Sequence, residues 1–182
     1  RTTLQSRPSF RSQFDHDQVV NEVRDILTSS KFISQFISES ELRSKSGFAN
    51  SRGGDSKSSD WKVPDGQFSL RIESGEATVA LEVELTRKAK ARYSKIFEAL
   101  LTSKQFKFVF IVCGDEKIEE LLVRSLESAR ATNAFVKASE RSNGIYFSQF
   151  EKLQRLGLEA LWSGEGRTFS INELTNTQAE KG

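Results

Sequence analysis

The sequence predicts an α/β fold in which helices flank a central mixed β-sheet, on three observations. The run FKFVFIVCG, residues 106–114, is apolar at nearly every position, as a strand buried on both faces requires. ATVALEVELT, residues 77–86, alternates instead: Val79, Leu81, Val83 and Leu85 fall on one face, Ala80, Glu82, Glu84 and Thr86 on the other. Segments with apolar residues at helical spacing flank these runs, and the order strand, strand, helix, central strand, helix, strand is that of a layered α/β sandwich.

Taken in order, residues 1–13 lack periodicity and read as a tail or the end of a linker from a missing upstream domain. Arg1 stands where an initiator Met would, and the chain holds no Met, so further sequence upstream is expected. From Asp15, DHDQVVNEVRDILTSS sets Val19, Val20, Val23, Ile26 and Leu27 along one helical face, with Asp15 or Asp17 as cap. KFISQFISESELRSKS fits either a strand or a continued helix, and we read a strand or turn ending near Ser38. Residues 44–60, rich in Ser, Gly and charge, form a flexible loop. Strands over 66–72 and 77–86 follow, joined by a turn from Glu73 to Glu76. A helix over 87–103 then repeats Tyr93, Ile96, Phe97, Leu100 and Leu101 at helical spacing. After the central strand, DEKIEELLVRSLESARA is an amphipathic helix, NAFVKAS and GIYFSQ are strands, FEKLQRLG is a short helix and RTFSINEL a last edge strand. The folded domain is read as 14–174, with 175–182 a disordered tail.

Composition narrows the function. With 182 residues, 36% of them hydrophobic and fourteen Phe, the chain can bury one real core. No stretch approaches the roughly 18 apolar residues of a membrane helix, and the N-terminus lacks the apolar stretch of a secretory signal. One cysteine, Cys113, lies inside the central run and forms no internal disulfide, which fits a reducing cytoplasm. His16 is the single histidine, which excludes a zinc site of Cys and His and a nuclease built on a histidine cluster. Neither a phosphate-binding P-loop nor a GxGxxG turn is present, and a net charge of +2 does not announce nucleic-acid binding by itself.

The distribution of charge is more informative. Two carboxylates at i and i+2 of a strand, Glu82 and Glu84, point the same way and repel unless solvent or a cation lies between them. With Asp65 they could supply the ligands of a hard divalent ion such as Mg²⁺ or Mn²⁺, which favours carboxylate oxygens and water. A solvated face with salt bridges to Lys88 and Lys90 explains the same spacing. Lys88, Arg92 and Lys95 fall at i, i+4 and i+7 of the next helix, a cationic stripe suited to phosphate or to solvent. A carboxylate set leading directly into a basic helix start is what phosphodiester cleavage needs: one part activates water, the other holds and neutralises the phosphate.

VPDG followed by ALEVELTRKAKARY resembles the restriction-endonuclease-like superfamily, whose motif is PD and then (D/E)xK on a neighbouring strand. FDHDQVVNEVRDIL, VPDGQF and LEVELTRKAKARYSKI together are similar to the plasmid replication-relaxation and mobilisation (relaxase-like) family, over roughly residues 14–125. The resemblance implies a restriction-endonuclease-like sandwich, usually placed after a winged-helix DNA-binding domain. It implies Asp65 as the motif aspartate, Glu82 as the first acidic residue of the second half-motif and His16 as the histidine opening the first helix. Glu84 departs from the pattern, standing where a nuclease carries lysine, and Lys88 or Lys90 is the residue to which that cation would have moved.

The functional expectation is therefore a plasmid or mobile-element protein that nicks or cleaves DNA with Mg²⁺ or Mn²⁺. Asp65, Glu82 and Glu84 would hold the ion, Lys88 or Lys90 would offset developing charge, and His16, Lys88, Arg92 and Lys95 would contact DNA. Tyr93 or Tyr146 would be the nucleophile of a covalent variant. DNA and other mobilisation or replication proteins are the expected partners. A non-catalytic binding module with a degenerate site, and an α/β enzyme acting on a small phosphorylated or acidic substrate, are the alternatives.

Overall fold

The alternation along residues 77–86 becomes a division of the molecule into two cores, one on each side of a sheet. A computed structural model of the chain describes residues 10–45, 63–132 and 144–174. In chain order the elements are α1 (Phe10–Thr28), β1 (Ile33–Ser38), α2 (Glu39–Lys45), β2 (Gly66–Ile72), β3 (Gly75–Glu84), α3 (Lys90–Thr102), β4 (Phe108–Cys113), α4 (Glu116–Thr132), β5 (Gly144–Gln149), α5 (Phe150–Leu156), β6 (Leu161–Gly164) and β7 (Arg167–Ser170). The described strands form one seven-stranded mixed sheet in sequence order. β3, β4 and β5 run parallel, and the outer pairs are antiparallel.

Val79, Leu81 and Val83 of β3 join Phe68, Phe110, Tyr146 and Trp162 in the core beneath α1 and α5. Ala80 joins Val109, Ile111, Cys113, Ile145 and Phe147 in the core beneath α3 and α4, filled by Tyr93, Phe97, Leu122 and Leu126. β4 feeds both, which is why FKFVFIVCG is apolar throughout. The expected α/β class with a mixed sheet flanked by helices is thus the architecture found. No helix among the described residues is long and apolar enough to cross a membrane.

Several boundaries move, each for a local reason. α1 starts at Phe10, so Asp15 and Asp17 lie within the helix instead of capping it, and the expected tail boundary at residue 13 falls inside α1. The strand ending at Ser38 is present, and α2 follows at once. Its start is a capping box: the Ser38 N–H donates to Glu41 Oε2 (2.9 Å), and the Glu41 N–H faces Ser38 Oγ (3.5 Å). The same device at Ser170 and Glu173 ends β7 and turns the chain into a helical turn over 171–174, so RTFSINEL is half strand and half turn. The helix expected from residue 87 begins at Lys90, because the Tyr93 hydroxyl accepts the Lys88 N–H (2.9 Å) and donates to the Thr86 carbonyl (3.3 Å), holding the link non-helical. Most of the loop expected over 44–60, the NAFVKAS strand and the 175–182 tail lie outside the described residues.

β6 was not foreseen, and its turn explains why. Glu165 and Gly166, between the paired residues Gly164 and Arg167, both have positive φ (52° and 69°), as a two-residue type I′ hairpin requires. Glu165 is an uncommon residue for that conformation. Its carboxylate binds Arg130 of α4 and accepts the Ile145 N–H of β5 (3.2 Å), which fixes the turn against the sheet. Gly164 is required where β6 crosses β5: a Cβ there would fall well inside contact distance of the Ile145 carbonyl oxygen. Gly164→Ala is expected to cost about 1–3 kcal/mol through the backbone shift it forces, measured as a lower urea midpoint at unchanged slope.

Candidate functional site

The C-terminal end of β3 outruns β2. The last paired residues of that ladder are Gly66 and Leu81, so the backbone groups of Val83 find other partners. Asp65, just before β2, supplies one: its Oδ2 accepts the Val83 N–H at 2.7 Å. His16, reaching across from α1, supplies the other, with Nε2 3.2 Å from the Val83 carbonyl oxygen and 3.4 Å from Asp65 Oδ2. Both neighbours of Nε2 are acceptors, so Nε2 carries a proton. Asp65 is buried, and its carboxylate raises the His16 pKa above the ordinary 6.5 against the opposing effect of partial burial.

A raised pKa means that folding favours the imidazolium. The stabilisation is fully present below the unfolded value and disappears as pH rises through the folded one. His16→Gln is therefore expected to lose most stability relative to wild type at about pH 5 and least at about pH 9, read from thermal midpoints across that range. A difference that does not change with pH would show that folding leaves the imidazole pKa unchanged.

Glu82 and Glu84 point to the other side, toward α3 and α4. They are only 5% and 7% exposed, because β3 lies inside the sheet, so the reading of a solvated face is set aside. The salt bridge to Lys88 that went with it is present: Lys88 Nζ lies 2.5 Å from Glu84 Oε2. Lys88 sits in the link before α3, which shortens the expected helical stripe to Arg92 and Lys95, both exposed on α3. Lys90 is the first residue of α3.

The two tyrosines are placed away from nucleophilic work. Tyr93 is 1% exposed and its hydroxyl is engaged by the link it holds, and burial raises its pKa. Tyr146 lies on the opposite face of the sheet from Glu82 and Glu84, two strands from β3. Burial pushes the Cys113 thiol far up, so no thiolate is available at neutral pH.

Asp65 is turned toward Val83 and His16, and Glu84 toward Lys88. Among the described residues no three His, Cys, Asp or Glu side chains are grouped so as to hold a metal ion. No known family, curated protein or solved structure matches this chain. What the site can do is set by its own side chains: buried carboxylates on neighbouring elements, each of two held by a basic group that protonation or substrate could displace. The part of Tyr93 in setting Lys88 on Glu84 was not legible in advance, since helical spacing marks Tyr93 only as a core residue.

Proposed function

We propose that the chain is a DNA-processing protein of plasmid or mobile-element type, with a restriction-endonuclease-like core that nicks or cleaves DNA with a divalent metal ion. The observation that supports this reading is that Asp65, Glu82 and Glu84 are all buried near one end of the β2–β3 pair, with Lys88 Nζ on Glu84. Buried carboxylates stay ionised where cations or hydrogen-bond donors offset their charge. To hold Mg²⁺ or Mn²⁺ together with Glu82, Asp65 and Glu84 would have to turn from the partners they now have, and the ion would then lower the pKa of a bound water and offset charge on the scissile phosphate. Lys88 takes the place of the lysine that Glu84 displaces from the half-motif. Arg92 and Lys95 offer exposed charge to the DNA backbone, and His16 holds Asp65.

A second reading is favoured by the bonds that Asp65 and Glu84 already make and by the missing preformed metal group. In it the same fold is a non-catalytic module that binds DNA or a mobilisation or replication partner. A supercoiled-plasmid assay with Mg²⁺ and Mn²⁺, run beside a salt titration of DNA binding, separates the two. Nicked circles from wild type, reduced on the order of 100-fold by Glu82→Gln, support the nuclease. Plasmid left intact with every metal, while DNA binding weakens steeply with salt, supports the module. Loss of both activities sinks both readings.

A further inference from the structure

Glu84 and Lys88 are four residues apart, and Lys88 Nζ lies 2.5 Å from Glu84 Oε2. In a helix that spacing brings two side chains together, but Glu84 ends β3 and Lys88 precedes α3. Four residues of extended strand would carry the backbone about 13 Å onward. The link must turn back on itself, and something other than regular structure has to hold it there.

Backbone bonds fix its two ends. The Glu84 carbonyl accepts the Gly114 N–H (2.9 Å), and the Ala89 carbonyl accepts the first helical N–H groups, from Arg92 (2.9 Å) and Tyr93 (3.4 Å). Between these ends the Tyr93 hydroxyl accepts the Lys88 N–H (2.9 Å) and donates to the Thr86 carbonyl (3.3 Å). One hydroxyl thus uses both its roles on residues two apart, where a turn ordinarily bonds backbone to backbone. The Tyr93 ring is buried in the core with Phe97 and Leu122, and a phenylalanine ring would fill the same space. The hydroxyl serves the link and not the packing. A lysine gives up much side-chain freedom to hold one ion pair, and a fixed backbone lowers that loss.

We propose that Tyr93 is a positioning residue, whose hydroxyl fixes the Lys88 backbone where Nζ reaches Glu84. The proposal rests on the nuclease reading in one respect, that Lys88 is the cation offsetting charge that develops on the phosphate. Tyr93 acts on that reaction only through Lys88. Its hold on Lys88 is readable without DNA.

Acetylation of the full chain with acetyl N-hydroxysuccinimide ester, followed by mass spectrometry of its peptides, gives the reactivity of each lysine. In wild type, Lys88 is expected to react about fivefold or more slowly than exposed Lys95, and equal rates would overturn the proposal. Tyr93→Phe is expected to raise the Lys88 rate about fivefold, toward that of Glu84→Gln, while exposed Lys95 and Lys117 keep theirs. An unchanged Lys88 rate, or a rise shared by all three lysines, would also overturn it. Should Tyr93→Phe fail to fold, amide hydrogen exchange of wild type decides: the Lys88 N–H is expected to exchange about tenfold slower than that of exposed Arg87, and equal exchange sinks the proposal. The plasmid assay adds the functional arm. Lys88→Gln is expected to lower nicking on the order of 100-fold and Tyr93→Phe about tenfold, with the double variant no lower than Lys88→Gln alone; additive losses count against Tyr93. If wild type leaves the plasmid intact, the nuclease reading falls, and the acetylation rates alone decide the part of Tyr93.

Discussion

Asp65→Asn is expected to abolish plasmid nicking, by on the order of 100-fold or more, in a protein that still folds. Asp65→Ala is expected to lose activity and stability together. The difference follows from the two tasks that the proposed function gives one carboxylate. Its Oδ2 accepts the buried Val83 N–H at 2.7 Å, where the β2 ladder has run out. An asparagine oxygen can accept the same bond, whereas alanine leaves a buried donor without an acceptor, at about 1–3 kcal/mol. Asparagine removes the negative charge, and with it both the attraction for His16 and the capacity to hold a cation. Nicking rates and urea midpoints on the pair separate the tasks. Should Asp65→Asn nick like wild type, Asp65 is a pin for the end of β3 and the catalytic assignment falls.

Trp162→Ala is expected to cost about 3–5 kcal/mol, a large share of the roughly 5–15 kcal/mol that holds a domain of this kind folded. Trp162 is fully buried and stacks on Phe110 with ring centres 4.4 Å apart. Phe110 in turn meets Phe68 and Tyr146 edge to face, so the indole anchors an aromatic chain running from β6 to β2. Few smaller side chains can close the space it leaves, and the cost of truncation grows with the cavity that remains. Circular dichroism in urea is the suitable measurement, since the substitution removes a fluorescent reporter. A loss under about 1 kcal/mol would mean that β6 and β7 unfold separately from the central strands.

The faces of β3 were legible because side chains in a strand alternate with period two whatever surrounds them. The burial of Glu82 and Glu84 was not, since it depends on β4 and α3 closing over that face, and spacing within one strand carries no record of its neighbours. The paired Ser and Glu at 38 and 41, and at 170 and 173, are capping boxes that the sequence displays openly. They predict where α2 and the 171–174 turn begin better than hydrophobic periodicity does. The β6–β7 hairpin stayed hidden because Glu165 occupies a position where Asn, Asp or Gly would have announced a turn. The contact of His16 with Asp65 joins α1 to the start of β2 across β1 and α2, and no local pattern in the sequence encodes it.

The Glu165 carboxylate also has a consequence for the chain between α4 and β5. It binds Arg130 on one side of that stretch and the Ile145 N–H on the other, so a single side chain fastens both ends. One side chain of the β6–β7 hairpin therefore ties α4 to the strand that runs parallel to β4, and its removal would loosen helix and strand together.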